Sequence, residues 1–180
     1  MTGLALTVRK AGMRDIPNVL ALINSYAANG IMLPRTEFEM SENIRDFSVA
    51  YDCEALLGCG ALHFYTPVTA EVRSLAVRPD TKQNGVGRAV VEALEQEANG
   101  NGLESIFAFT YVPQFFQKLG FFEVERGELP LKAWKDCLRC PKFRNCDEIA
   151  VLKYLKTANA SEHSYYETNA ADALIQLPFF

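Results

Sequence analysis

Glu71 to Val91 reads EVRSLAVRPDTKQNGVGRAVV, and the rest of the chain is arranged around it. Its first part, Val72 to Val77, is a short apolar strand. Arg78 to Asn84 is a polar turn that contains Pro79. Gly85 and Gly87 then open a helix whose apolar positions are Val86, Val90, Val91 and Leu94. A strand that passes through a glycine loop into a helix start makes an anion site. The first helical N–H groups have no intrahelical partner, and the helix dipole adds partial positive charge there. Glycine lets a phosphate approach the backbone closely. Lys82 and Arg88 bring formal positive charge to the same place. The spacing excludes two common nucleotide loops. No Gly-Lys-Ser/Thr follows, so this is not a P-loop. Only two glycines are present after a long turn, so it is not the dinucleotide fingerprint.

Bulk properties narrow the function class. The chain has 180 residues, 49% of them hydrophobic, which suits one domain with a sizeable core. A net charge of −4 offers no extended basic face, and a role in binding nucleic acid is not expected. No run of 18 apolar residues occurs, so no membrane span is expected. Met1 to Arg9 lacks the apolar core of a signal peptide. Five cysteines, an odd number, then point to free thiols in a reducing cytoplasm.

Periodicity places the elements on either side. Ala5 to Arg9 reads as a strand. A helix capped by Asp15, with Pro17 in its first turn, carries Ile16, Val19, Leu20, Ile23 and Tyr26 on one face and ends at Gly30. Thr36 and Glu39 form a capping box for a second helix through Ile44. Phe47–Tyr51 and Glu54–Tyr65 are strands, with Gly58 and Gly60 marking a bulge or a close backbone approach. After the central unit come strand Ser105–Tyr111, helix Pro113–Leu119 closed by Gly120, strand Phe121–Val124 and strand Ile149–Tyr154. The order β-α-α-β-β-β-α-β-α-β-β predicts an α/β domain of the α+β type, a mixed sheet with helices on both faces.

Lys82-Gln83-Asn84-Gly85-Val86-Gly87 resembles the acetyl-CoA pyrophosphate loop of the GNAT acetyltransferases, written Arg/Gln-x-x-Gly-x-Gly/Ala, with Lys in the first position. Phe115-Phe116-Gln117-Lys118-Leu119-Gly120-Phe121 is similar to that family's Phe-Tyr-x-Lys-x-Gly-Phe segment. The resemblance covers roughly residues 5–155, and the domain is taken as 1–157. It implies the GNAT fold, with acetyl-CoA as cosubstrate held by Lys82, Gln83, Asn84, Gly85, Val86, Gly87 and Arg88. It also implies that the strands on either side of the cofactor splay apart. Backbone groups of Leu75, Ala76 and Val77 then meet the pantetheine arm, with Phe116 beside it. Phe116 stands where many members carry a tyrosine that protonates the leaving thiolate. Tyr111, the nearest hydroxyl in sequence, or water replaces it, or the thiolate leaves unaided. A thiol of pKa about 8.5 makes the last route accessible near neutrality.

Amine acetylation needs a neutral amine, so a carboxylate acting directly or through water is the usual base. Glu71 occupies the family's place for it, or is an exposed glutamate at a strand end. Gly30-Ile31-Met32-Leu33-Pro34-Arg35 resembles a loop of the bacterial N-acetylglutamate synthases that binds a substrate carboxylate. Leu129 to Cys137, with Cys140-Pro141-Lys142-Phe143 and Cys146 to Ala150, is similar to their short, kinase-less form. The implied reaction is acetylation of L-glutamate by direct attack in a ternary complex, the entry step of arginine biosynthesis. Glutamate has two carboxylates and calls for two cations, which Arg35 with Lys132 or Arg73 supplies. Arg73 shares strand parity with Glu71 and Leu75, and so faces the side of the base. The alternatives are another small amine or a protein amine as acceptor, and a non-catalytic acyl-CoA sensor. Cys137, Cys140 and Cys146 lack a second paired motif, and no metal is expected. Residues 158–180 form a polar tail ending in ALIQLPFF that docks on the domain or supports a homodimer.

Overall fold

The computed structural model describes residues 6–82, 84–130, 140–142 and 145–155. Gln83, Lys132, Cys137 and the tail 158–180 lie outside the described residues. The elements are β1 (Leu6–Lys10), α1 (Ile16–Ala27), α2 (Glu37–Asn43), β2 (Phe47–Asp52), β3 (Ala55–Phe64) and β4 (Thr69–Val77). They continue as α3 (Val86–Gly100), β5 (Ser105–Thr110), α4 (Pro113–Gln117), β6 (Phe122–Val124) and β7 (Ile149–Tyr154). This is the order expected from periodicity.

The strands form one seven-stranded sheet, β1-β2-β3-β4-β5-β7-β6. Among the described residues only β4 and β5 pair in parallel; the other neighbours are antiparallel. Helix α3 lies on one face. Its buried residues Val86, Val90, Val91, Leu94 and Ala98 pack with Leu62, Val72 and Ile106 of the sheet and with Phe116 and Phe121 from the α4 region. On the other face, Ile16, Val19 and Ile23 of α1 and Met40 of α2 cover Val49, Cys59, Ala61 and Ala76. Beyond them on that face, Phe107, Leu129 and Ala150 form a smaller cluster.

The capping box is present as read. The Thr36 hydroxyl accepts the Glu39 N–H at 3.2 Å, and the Glu39 carboxylate accepts the Thr36 N–H at 3.0 Å. Asp15 differs from expectation. A short 3-10 turn, Met13–Asp15, precedes α1 and leaves Asp15 already in helical backbone (φ −81°, ψ −17°), so its side chain does not cap α1. Its carboxylate instead accepts the Gly12 N–H at 2.8 Å, both Arg9 guanidinium nitrogens at 2.8 Å and the Tyr51 hydroxyl at 2.9 Å.

Both readings of the β3 glycines hold. A Cβ on Gly58 would sit 2.9 Å from Val86 Cγ1, and one on Gly60 would sit 2.9 Å from Val90 Cγ1, so these glycines let α3 lie close on the sheet. The bulge lies opposite Gly60, on β4. Cys59 pairs with Ala76 and Ala61 with Arg73, so Ser74 and Leu75 together face one residue. Ser74 takes the left-handed conformation, φ 53°. The extra residue reverses side-chain parity. Arg73 shares the α1 face with Glu71 as expected, but Leu75 turns to the α3 face and joins that core, correcting the parity read from sequence.

Candidate active site

Strand β4 begins at Thr69, three residues earlier than its apolar run suggests, so Glu71 is an interior residue of the strand. Its burial is near-complete, 8% exposed, which sets aside the reading of an exposed strand-end glutamate. The β4–β5 ladder holds three residue pairs, Thr69–Ser105, Ala70–Ile106 and Glu71–Phe107, and goes no further. Both strands continue, to Val77 and Thr110. Glu71 therefore stands at the last rung before a V-shaped opening. The bulge at Ser74 bends β4 within this opening.

The opening exposes backbone groups in a predictable way. The Arg78 N–H donates to the Leu57 carbonyl of β3 at 2.8 Å. Successive residues of a strand turn their N–H and C=O to opposite edges, so Val77 turns its own toward the opening. The Val77 carbonyl accepts the Tyr26 hydroxyl of α1 at 2.5 Å. Tyr26 reads from sequence as one more apolar position of α1; its hydroxyl contact, 51 residues away, has no local signal.

At the same end of the sheet, the glycine loop enters α3. Gly85 is the N-cap residue at φ 80°, and a Cβ there would meet nothing within 4 Å; it is glycine for its backbone conformation. Among the described residues no side chain caps the helix, whose first N–H groups have no intrahelical partner. Gly87 is glycine for space: a Cβ there would lie 3.3 Å from Phe115 Cζ and 3.4 Å from Val77 Cγ2. Lys82 is exposed and sits over the Tyr26 ring at 5.2 Å, and Arg88 is half exposed with Glu92 at 3.6 Å. A loop that enters a helix N-terminus through Gly85 in a left-handed backbone and Gly87 in a close approach, with two cations beside it, suits a pyrophosphate.

The aromatic pair of α4 divides its work differently from the sequence reading. Phe116 is 3% exposed and packs edge-on to Phe115 and Phe121 in the main core. Phe115, partly buried, is the ring that meets Gly87. Tyr111 follows β5 directly. Its hydroxyl accepts Lys142 Nζ at 3.2 Å. Burial pushes its pKa up from the ordinary tyrosine range, with the Lys142 bond acting the other way. A raised pKa weakens it as a proton donor near neutrality.

On the α1 face, Glu71 has polar company that sequence reading missed. The Tyr65 hydroxyl donates to Glu71 Oε2 at 2.9 Å. His63 is the cross-strand partner of Glu71, and its Nδ1 lies 2.6 Å from Asp46 Oδ2. Arg73 Nη2 is 3.9 Å from the same oxygen, and its side chain is 12% exposed. Arg35 is half-buried in the loop after α1, on the same side of the sheet. Asn24 ties that loop to the helix, donating to the Arg35 carbonyl at 3.0 Å and accepting its N–H at 2.9 Å. Only strand parity hints at His63 and Tyr65, and parity is silent until the register is known. The free thiols Cys53, Cys59, Cys140 and Cys146 join no group of three metal-ligating side chains among the described residues.

Residues 21–121 match the model of the acetyltransferase (GNAT) family. The chain is 40% identical over 148 residues to an uncharacterized N-acetyltransferase of Chlorobaculum tepidum, covering 82% of this chain and 96% of that protein. It is 34% identical over 135 residues to an amino-acid acetyltransferase of Mycobacterium tuberculosis, covering 73% and 77%. Among solved structures, the N-acetylglutamate synthase of Neisseria gonorrhoeae complexed with coenzyme A and N-acetyl-glutamate matches with a TM-score of 0.76 at 27% identity. That match covers 83% of this chain and 35% of the synthase chain. Matches of this breadth agree with the parted strands and the open glycine loop, and the chain belongs to the GNAT family of acetyltransferases, with acetyl-CoA as cosubstrate.

Proposed function

We propose that this protein acetylates the α-amine of an amino acid, L-glutamate first among them, to give the N-acetyl amino acid. The observation that carries the reading is the position of Glu71, a buried carboxylate at the rung where β4 and β5 part. An acyl thioester running between the strands would bring its carbonyl beside that carboxylate. Glu71 draws the proton from the bound ammonium, directly or through water, and Tyr65 holds the carboxylate in place. The amine attacks the thioester carbon directly, without an acyl-enzyme. Backbone N–H groups around Leu75–Val77 polarise the carbonyl oxygen. Lys82, the loop through Gly87 and Arg88 hold the pyrophosphate. The leaving thiolate takes a proton from Tyr111 or from water, or departs as the anion; burial raises the Tyr111 pKa, which disfavours the first route.

Glutamate is favoured by Arg35, whose backbone is fixed by Asn24 beside the acceptor side of the sheet. An arginine there suits bidentate binding of a carboxylate. Lys132 is the proposed second cation. Arg73 already lies beside Asp46, so its part is to shape the pocket as much as to meet substrate. The relatives named above support an amino-acid acceptor, in that one is an amino-acid acetyltransferase and another is an N-acetylglutamate synthase.

The test is thiol release from acetyl-CoA with a panel of amines, on wild type, Arg35→Ala and Glu71→Gln. Glutamate is expected to drive turnover. Arg35→Ala should raise KM for glutamate about tenfold or more, a loss of about 1.4 kcal/mol, with KM for acetyl-CoA unchanged. Glu71→Gln keeps an acceptor for Tyr65 and should lower kcat by about 10²- to 10⁴-fold. Turnover with a different amine while glutamate is inert would overturn the choice of acceptor.

A further inference from the structure

Each amide formed strips two protons from the substrate nitrogen. The ammonium loses one to become a nucleophile, and the nitrogen loses the other as the N–C bond forms and the C–S bond breaks. Glu71 is 8% exposed and must be discharged between these events. His63 is its cross-strand partner, and such pairs hold their Cβ atoms about 5 Å apart. The His63 side chain is 28% exposed, so it reaches solvent where Glu71 does not. Asp46, on the turn after α2, fixes Nδ1 at 2.6 Å. A histidine bonded through one ring nitrogen has its tautomer set and presents the other nitrogen. The Tyr65 ring stands edge-on to His63, centroids 5.0 Å apart, while its hydroxyl bonds Glu71. The charged and titratable groups facing His63 are thus Asp46 from the turn, Glu71 and Arg73 from β4, and Tyr65 at the end of β3.

We propose that His63, oriented by Asp46, relays to solvent the protons that Glu71 takes from the substrate amine. Its imidazole accepts a proton from Glu71 across the strand pair and releases it to water, so the carboxylate is free again for the second transfer. His63 acts through Glu71 and is a relay residue. Imidazole is suited to this because one ring nitrogen can accept a proton while the other holds its hydrogen bond. Asp46 and His63 belong to neither the loop that holds pyrophosphate nor the arginine loop.

This inference rests on Glu71 as the base, and the experiment separates the two. Steady-state kcat is measured from pH 6 to 9 in dilute buffer, using the best amine of the panel, for wild type, His63→Ala, His63→Gln and Asp46→Asn. His63→Ala and His63→Gln should lose about 10- to 100-fold in kcat at neutral pH, with KM for both substrates held within a factor of about three. Added imidazole should restore His63→Ala severalfold and leave wild type unchanged. Asp46→Asn, which leaves the ring less firmly held, should show a smaller loss. A histidine that only pins the turn to β3 would behave differently. His63→Gln, which can still bond Asp46, would then keep its rate, and imidazole would rescue nothing; either result overturns the relay. Wild type inert toward every amine would remove the reading of Glu71 and this inference together. Active wild type with unimpaired His63 variants removes this inference alone.

Discussion

Gly58 sits on β3 opposite Val77, where the first turn of α3 presses on the sheet. In Gly58→Ala the new Cβ would lie 2.9 Å from Val86 Cγ1 and 3.0 Å from the Ala76 carbonyl oxygen. Ordinary contact begins at 3.4 Å, so about 0.4–0.5 Å must be found. The Val86 methyl can rotate away only into a core where that residue is 1% exposed. The Ala76 oxygen is backbone of β4 and cannot yield by a rotamer change. Overpacking of this kind costs about 1–3 kcal/mol. For a domain of this size that is a fall in Tm of about 2–12 °C. The relief available is an outward shift of the start of α3, and Val86 is its first residue, next to Gly85 and Gly87. KM for acetyl-CoA should therefore rise about three- to tenfold, with KM for the acceptor little changed. Gly60→Ala is the comparison, because the three atoms nearest its Cβ, Val90 Cγ1 at 2.9 Å and the Leu75 and Leu94 Cδ1 atoms at 3.3 Å, are all side-chain carbons, with no backbone oxygen among them. Its thermal cost should be smaller, and acetyl-CoA binding should be unaffected. Thermal melts and substrate-saturation curves test both. A Gly58→Ala protein with wild-type Tm within about 1 °C and unchanged acetyl-CoA affinity would refute the claim that glycine here sets the α3–sheet distance.

Asp15 carries a pH signature. The Arg9 guanidinium, with the Gly12 N–H and Tyr51 hydroxyl, holds its carboxyl down at about 2, against burial, which acts the other way. A depressed carboxylate contributes stability above its unfolded pKa near 4, and loses it as pH falls from about 4 toward 2. The contribution is on the order of 2 kcal/mol, and denaturant titrations at pH 6 and pH 3 should show Asp15→Asn erasing that part of the acid loss. Thiol chemistry should sort by environment. Burial pushes the Cys59 thiol up to about 12, whereas Cys53 is exposed. Under native conditions at pH 8, a thiol reagent followed by mass mapping should label Cys53 and leave Cys59 unmodified until the chain is unfolded. Rapid native labelling of Cys59 would mean that the α1 side of the sheet opens readily.

Much of the architecture is legible because its signals are local. A capping box spans four residues, a glycine loop six, and an apolar helical face repeats within a turn or two. Thr36 with Glu39, Gly85 with Gly87, and the Val86–Leu94 face of α3 accordingly stand where periodicity and capping chemistry place them. Asp15 shows how a local signal fails. The residue has capping chemistry, but the 3-10 turn before it fixes a backbone from which that side chain does not cap α1.

Sequence alone determined the element order, the glycine loop that opens α3 and the place of Glu71 on the central strand, since each is written in consecutive residues. Tertiary structure decided what those parts face. The bulge at Ser74 turns Leu75 to the α3 core and leaves Arg73 on the side of Glu71, because register depends on which residue of β3 opposes which of β4. The parting of β4 from β5 after Glu71 depends on the relative course of two strands more than 30 residues apart in the chain, roughly the span of a βαβ unit. Tyr26 at the Val77 carbonyl and Asp46 at His63 are likewise contacts between separate elements, 51 and 17 residues apart. Side-chain chemistry is local to a residue. The partners that give it a task are supplied only when the sheet closes and brings distant segments to one face.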